Sequence, residues 1–199
     1  MLPLSHRDVG VRLITKRDAA PLEHLLLDNR SWLEQWEATH PGLLRPLVPG
    51  FSLKPAIKNL LHAHRQGTTL PLVITYRDHA VGQLTASGIQ YGSLSSAQLG
   101  YWISENVAGR GITPVAVALA SDYLMRSQGL HRIEICIRPE NSASLRVVEK
   151  LGFRYEGRRP NYIHIDGRWR DHDSFALTAE DLPQGLLSRY LGATARREV

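Results

Sequence analysis

The sequence predicts a mixed α/β fold, α+β-like, with one central and mostly antiparallel sheet of about seven strands and a single parallel crossover pair. Three observations predict it. Strand patterns follow one another over residues 70–103 with no helix between them, as antiparallel neighbours do. A strand, a helix and a second strand then occupy 97–137, the pattern of a parallel crossover. The 199 residues, 43% hydrophobic and 22% charged, supply one substantial core.

Taken in order, residues 11–15 (VRLIT) alternate and are β-branched, which predicts a strand. Thr15 or Asp18 would cap a helix through Leu22, Leu25, Leu26 and Leu27. A short helical pattern follows around Trp32, Leu33 and Trp36. Residues 40–52 hold Pro41, Pro46, Pro49, Gly42 and Gly50, so a loop is expected. Ile57, Leu60 and Leu61 mark a helix over 54–65. Strands are expected at 70–76, 80–87 and 97–103, with Asp78-His79 turning the first pair. An Ala-rich helix over 115–125 leads to a buried strand at 132–137. Residues 142–151 form a helix ended by Gly152. Late strands are expected at 153–155, 162–165 and 174–177, with Asp166-Gly167 as a hairpin signal. The order is β-α-α-β-β-β-α-β-α-β-β. A short helix over 182–190 and a frayed tail at 193–199 complete the chain.

Composition excludes several classes. The hydrophobic fraction excludes a disordered chain, and no run of about 18 apolar residues could span a membrane. The N-terminus lacks the apolar core of a signal peptide, so a cytoplasmic protein is expected. Cys136 is the only cysteine, which excludes an internal disulfide and a cysteine-based zinc site. Flanked by Ile135 and Ile137, it is expected in the core. The net charge of +5 favours an anionic partner, although Lys and Arg are scattered rather than striped.

Residues 99–120 (LGYWISENVAGRGITPVAVALA) are the most informative. A strand ends near Ile103, a turn carries Gly109-Arg110-Gly111, and a helix is expected to start with Pro114 at its first position. Two glycines let the backbone bend and approach a ligand. The N–H groups from Ala108 to Thr113 then form an anion site at a helix N-terminus, with Arg110 beside it. Neither familiar phosphate loop fits. The dinucleotide fingerprint needs a third glycine where Pro114 stands, and the nucleotide-hydrolase loop needs a lysine that Gly111-Ile112-Thr113 lacks. Further on, Asn141 or Ser142 caps the next helix, with Ser144 in its first turn.

Tyr101-Trp102, Gly109-x-Gly111, Asn141-x-x-Ser144 and Leu151-Gly152-Phe153 together resemble the acetyl-CoA-dependent N-acetyltransferases of the GNAT superfamily. Asn29-Arg30, Leu33, Trp36-Glu37, Glu156-Gly157, and Tyr162 followed by IDGRWRDH are similar to the RimJ/RimL-type protein N-terminal acetyltransferases. The resemblance covers about residues 9–178. It implies a single acetyltransferase domain over 1–199, with helices on both faces of the sheet.

The resemblance also implies direct acetyl transfer from acetyl-CoA, a co-substrate, to an amine, without a metal. An α-amine, with a pKa near 8, needs only modest help to become neutral. Tyr101, Trp102 and Ile103 would lie along the pantetheine arm, their backbone N–H groups donating to the carbonyl oxygen. Ala108, Gly109, Arg110, Gly111, Ile112 and Thr113 would hold the phosphates. Asn141 would hold the arm or cap its helix, and Ser144 would protonate the departing thiolate or merely cap. Tyr162 would line the acceptor pocket or act in catalysis. Trp36 and Glu37 would meet the acceptor, Glu37 through its amine. Arg146 and Lys150 would meet phosphates or face solvent. His164 and Asp171 are weaker candidates for the base.

The sequence departs from the family pattern at Asn106 and Ala108, where glutamine or arginine is usual. Val148 stands where many members carry a tyrosine acid, and Ile163 where RimL-type enzymes place a carboxylate base. Three readings stay open: a protein N-terminal acetyltransferase of the ribosomal type, a small-amine acetyltransferase, and a non-catalytic CoA- or RNA-binding module. Ribosome association and a homodimer formed through a free edge strand are also expected.

Overall fold

A computed structural model describes residues 2–41 and 52–196. The expected loop at 40–52 lies, between 42 and 51, outside the described residues. The chain forms an eight-stranded sheet in the order β1-β2-β3-β4-β5-β6-β8-β7. The strands are β1 (Leu4–His6), β2 (Val9–Leu13), β3 (Leu70–Tyr76), β4 (His79–Gln90), β5 (Ser96–Ile103), β6 (Arg132–Ile137), β7 (Arg154–Ile165) and β8 (Arg168–Thr178). Only β5 and β6 pair in parallel. The helices are α1 (Ala19–Asp28), α2 (Arg30–Leu33), α3 (Lys54–Arg65), α4 (Ile112–Asp122), α5 (Ser142–Leu151) and α6 (Leu186–Ala195).

The strand alternation of β3 shows how both faces are covered. Leu72 and Ile74 enter the main core with residues of α4, α5 and α6, whereas Val73 packs on the opposite face with Leu22 of α1 and Ile57 of α3. All three β3 side chains are fully buried. A run of apolar residues without alternation reads as a strand covered on both sides, and this one is.

The structure corrects the sequence reading in four places. The eighth strand, β1, has three residues, too few to show a periodicity; it pairs antiparallel with β2 and packs Leu4 against the main core. The late pieces at 153–155 and 162–165 belong to one strand, β7, interrupted by register shifts between Tyr155 and Gly157 and between Arg159 and Ile163. Helix α4 begins at Ile112, so Pro114 is its third residue. The first-turn N–H groups have no acceptor within a helix, so proline is tolerated there as well. Residues 193–195, expected to fray, close α6, which starts at Leu186 rather than at 182. Asp122 accepts from the N–H groups of Leu186 (2.6 Å) and Leu187 (3.0 Å), a long-range cap that no local pattern reveals.

Asp18 anchors the start of α1. It is 4% exposed and accepts from both Arg12 terminal nitrogens, at 2.9 and 2.6 Å, and from the N–H and hydroxyl of Thr15, at 2.7 and 2.8 Å. Burial opposes its charge, but these hydrogen bonds outweigh burial and hold the carboxyl below its usual range. Asp18→Ala is expected to cost ~2–3 kcal/mol in urea unfolding, because Arg12 and Thr15 lose their acceptor. The unfolded carboxyl titrates near pH 4, roughly, so this contribution is complete above that value and is lost as pH falls through the lower folded one. The variant should lack that part of the acid-induced loss of stability.

Candidate active site

The site starts where the sheet splits. β5 and β6 pair only over 96–98 and 132–134. β5 continues to Ile103 along β4, while β6 continues along β8 to Ile137. Every second residue of 99–103 therefore turns its peptide groups toward an open edge.

The chain leaves β5 through a 3-10 turn (Glu105–Val107) and enters α4 through the two glycines. Gly109 and Gly111 have φ of +78° and +79°, a region that a side chain disfavours. Gly111 is the N-cap of α4. Among the described residues, the N–H groups of Arg110, Gly111, Ile112 and Thr113 have no protein acceptor. They stand at the positive end of the helix dipole. The bend is braced by the α1–α2 junction and α2. Buried Asn29 accepts from the Ser104 hydroxyl (3.1 Å) and the Glu105 N–H (2.8 Å), and the Trp32 indole donates to the Ile103 carbonyl (3.2 Å).

On the far side, Asn141 caps α5, accepting from the Ser144 N–H at 3.1 Å. The capping role is thus filled, and the Asn141 amide NH2 still faces the cleft without an acceptor among the described residues. Opposite it, the Tyr101 hydroxyl is buried without a hydrogen-bond partner. Burial pushes its pKa well above the usual phenol value; the nearby Ser144 side chain only partly offsets this.

A cleft of about 670 Å³ runs between α2, the glycine turn and the starts of α4 and α5. A smaller pocket of about 210 Å³ lies among residues of β5, β6, β7 and β8. Both are walled by Trp36, Tyr101, Asn141 and Ser144, so they meet at those four residues. The chain after α2 is tied over the smaller pocket. Ala38 bridges to Ile165, and the Thr39 N–H donates to the His164 carbonyl at 2.8 Å. The Arg138 guanidinium stacks on the Trp36 ring at 5.2 Å and donates to the Gln35 carbonyl at 2.7 Å.

Trp102, Ile103, Ala108, Gly109, Gly111, Ile112 and Thr113 also line the large cleft, as do Arg146 and Lys150. Five of the sequence-predicted residues, Arg110, Glu37, Tyr162, His164 and Asp171, do not line either space. Arg110 is exposed and folds back onto the Asn106 carbonyl (3.0 Å). Glu37 is ion-paired with Arg30. The Tyr162 hydroxyl accepts from Arg159 at 3.0 Å, and the Arg159 guanidinium stacks on its ring. Cys136, expected in the core, is half-buried at the smaller pocket, 3.5 Å from Glu134 and 3.6 Å from Arg159. Burial pushes its thiol pKa up. His172, which sequence reasoning passed over, lines the same pocket.

A sheet split at its one parallel pair, with a glycine turn at the mouth of the split, fits the acetyltransferase resemblance of the sequence, and the comparisons with known proteins agree. The acetyltransferase (GNAT) domain family matches residues 8–154. The ribosomal protein uS5-alanine N-acetyltransferase of Escherichia coli is 31% identical over 175 residues, which are 88% of this chain and 90% of that one. Mycobacterium smegmatis RimJ in complex with CoA-disulfide superposes with a TM-score of 0.84 at 36% identity, over 94% of this chain and 89% of that one. The ribosomal-protein-S5-alanine acetyltransferase of Vibrio fischeri gives 0.80 at 26%, over 91% and 98%. The chain belongs to the GNAT acetyltransferase family, and within it these relatives are of the RimJ type.

Proposed function

We propose that the protein moves the acetyl group of acetyl-CoA to a protein N-terminal α-amine, with a ribosomal protein as the acceptor class. The observation that carries this reading is the meeting of two cavities at Trp36, Tyr101, Asn141 and Ser144. Two substrates entering from the two sides would touch there, as direct transfer requires. The names of the relatives, which specify an alanine of a ribosomal protein, support the acceptor class.

The residues fit acetyl-CoA: the unpartnered N–H groups at the start of α4 suit phosphate, and the open edge of β5 suits an extended polar arm. Bound there, acetyl-CoA would supply an activated acetyl group as its thioester. The turn at 108–113 would hold its phosphates, with Arg146 and Lys150 at the wall. Peptide N–H groups at 101–103 would stabilise charge on the carbonyl oxygen. The Ser144 hydroxyl, with Tyr101 behind it, would donate to the sulfur. Asn141 would orient the arm through its free NH2. Trp36 would form the floor between the substrates, while Glu37 and Tyr162 would shape the acceptor side through their arginine partners. The chain would work as one acetyltransferase unit with a core at about 9–178. Cytoplasmic location, ribosome association and a homodimer paired through β7 belong to the same proposal; sedimentation with and without ribosomes tests the last two.

The test is thiol release from acetyl-CoA with peptides bearing free Ala or Ser N-termini, the same peptides blocked, and small amines. Release is expected with free peptides only. Ser144→Ala should lower kcat by about a hundredfold and leave acetyl-CoA affinity within about threefold. The small volume of the second pocket, 210 Å³, favours a small-amine acceptor as the second reading, and release with small amines alone would establish it.

A further inference from the structure

The proposed reaction leaves one part unassigned, because an acceptor amine arrives as an ammonium ion and must lose a proton before it can attack. Ile163, on the pocket wall, cannot take it. We propose that His172 is the base, receiving that proton on Nε2 from the acceptor in the smaller pocket. The inference rests on the acyl-transfer reading above.

His172 is 4% exposed on β8 and lines the smaller pocket together with Tyr101 and Ser144. Its Nδ1 lies 3.0 Å from the Arg170 carbonyl oxygen. A carbonyl only accepts, so Nδ1 holds the proton and Nε2 presents a lone pair. Among the described residues Nε2 has no hydrogen-bond partner, and His172 lines the cavity. The Tyr162 ring packs edge-on against the imidazole at 5.9 Å, which makes Tyr162 a positioning residue.

The surroundings keep the ring neutral at pH 7. Burial lowers its pKa most; the Arg170 carbonyl raises it, Arg138 lowers it, and Glu140 and Asp171 raise it, with a net lowering. The other facing groups are Tyr162, held by Arg159, and Cys136 on β6. Rival bases nearby are already engaged. Glu37 pairs with Arg30, Glu134 with Arg159 at 2.7 Å, and Asp173 with Arg158 at 2.8 Å. Asp171 accepts from the Asn161 N–H at 2.9 Å, and His164 Nδ1 meets the Thr39 hydroxyl at 2.7 Å.

The step is a single proton transfer. One ammonium N–H bond breaks and an Nε2–H bond forms, leaving a neutral amine and an imidazolium. The positive charge then leaves as a proton to water through the cavity. The hydrogen-bonded Nδ1–H stays in place throughout.

The test is the pH dependence of kcat with an Ala-terminated peptide, for the wild type and for His172→Gln. Wild-type kcat should be level above pH 7. The variant should instead follow the neutral amine, whose pKa is near 8, and lose about 30-fold at pH 6.5 but less than about threefold at pH 9. His172→Ala should regain activity with added imidazole, and acetyl-CoA affinity should not change in either variant. A loss that is equal at every pH and blind to imidazole would overturn the proposal. So would a His172→Gln rate within threefold of wild type at pH 6.5. A wild-type protein that acetylates no amine would overturn the acyl-transfer reading and this one with it; an active wild type with pH-independent variants would overturn only the base.

Discussion

Tyr101→Phe is expected to give a protein that is more stable and slower. The Tyr101 hydroxyl is buried with no partner, so the folded chain bears its desolvation without a compensating hydrogen bond. Removing it should stabilise by ~1–2 kcal/mol, or a Tm rise of about 3–6 °C for a chain of this size. Tyr101 walls both cavities, and its buried hydroxyl stands behind Ser144. Removing the group that backs the Ser144 donor should lower kcat by about tenfold. Because burial raises the phenol pKa, the donor keeps its proton across the working range. Wild-type kcat should therefore show no alkaline loss below about pH 10. A fall in Tm would mean that the hydroxyl is satisfied structurally; an unchanged kcat would remove it from the reacting centre. Stability sacrificed at a functional site is a recurrent arrangement.

Gly111→Val should abolish most acetyl-CoA binding without unfolding the protein. A Cβ at Gly111 would meet only the Tyr190 hydroxyl within 4 Å, at an ordinary 3.6 Å. The obstacle is φ of +79°, which a β-branched residue reaches only at a cost of about 1–3 kcal/mol. The turn can relieve that strain by rotating its peptides away from the cleft, which takes the anion-facing N–H groups with them. Affinity by calorimetry should drop about 10- to 100-fold, a range equivalent to about 1.4–2.8 kcal/mol. Gly192→Ala, in α6 where a Cβ meets nothing within 4 Å, serves as the control and should bind normally. Normal binding by the Gly111 variant would show that the turn does not hold the phosphates.

The glycine turn was legible in the sequence because its requirement is local: a positive φ before a helix demands glycine whatever the rest of the chain does. The α5 cap was legible for the same reason, since Asn141, Ser144 and Gly152 act within one helix. The parallel crossover followed from a strand, a helix and a strand in succession. Residues 54–65 and 142–151 also formed helices with the predicted ends.

The smaller pocket was not legible. Strand alternation assigns a face only while the register is unbroken, and β7 shifts register twice against β8. Tyr162 thus turns to Arg159, and His172, which closes the IDGRWRDH segment but takes no role from it, turns to the pocket. Glu37 could not be seen to pair with Arg30 because the turn after α2 brings them together. The sequence by itself determined the fold class and the glycine turn, which depend on short-range backbone conformation and hydrophobic period. Only the tertiary structure decided which polar side chains share the smaller pocket. That depends on where β5 and β6 part and how β7 bulges, and both are set by long-range packing that no local pattern encodes.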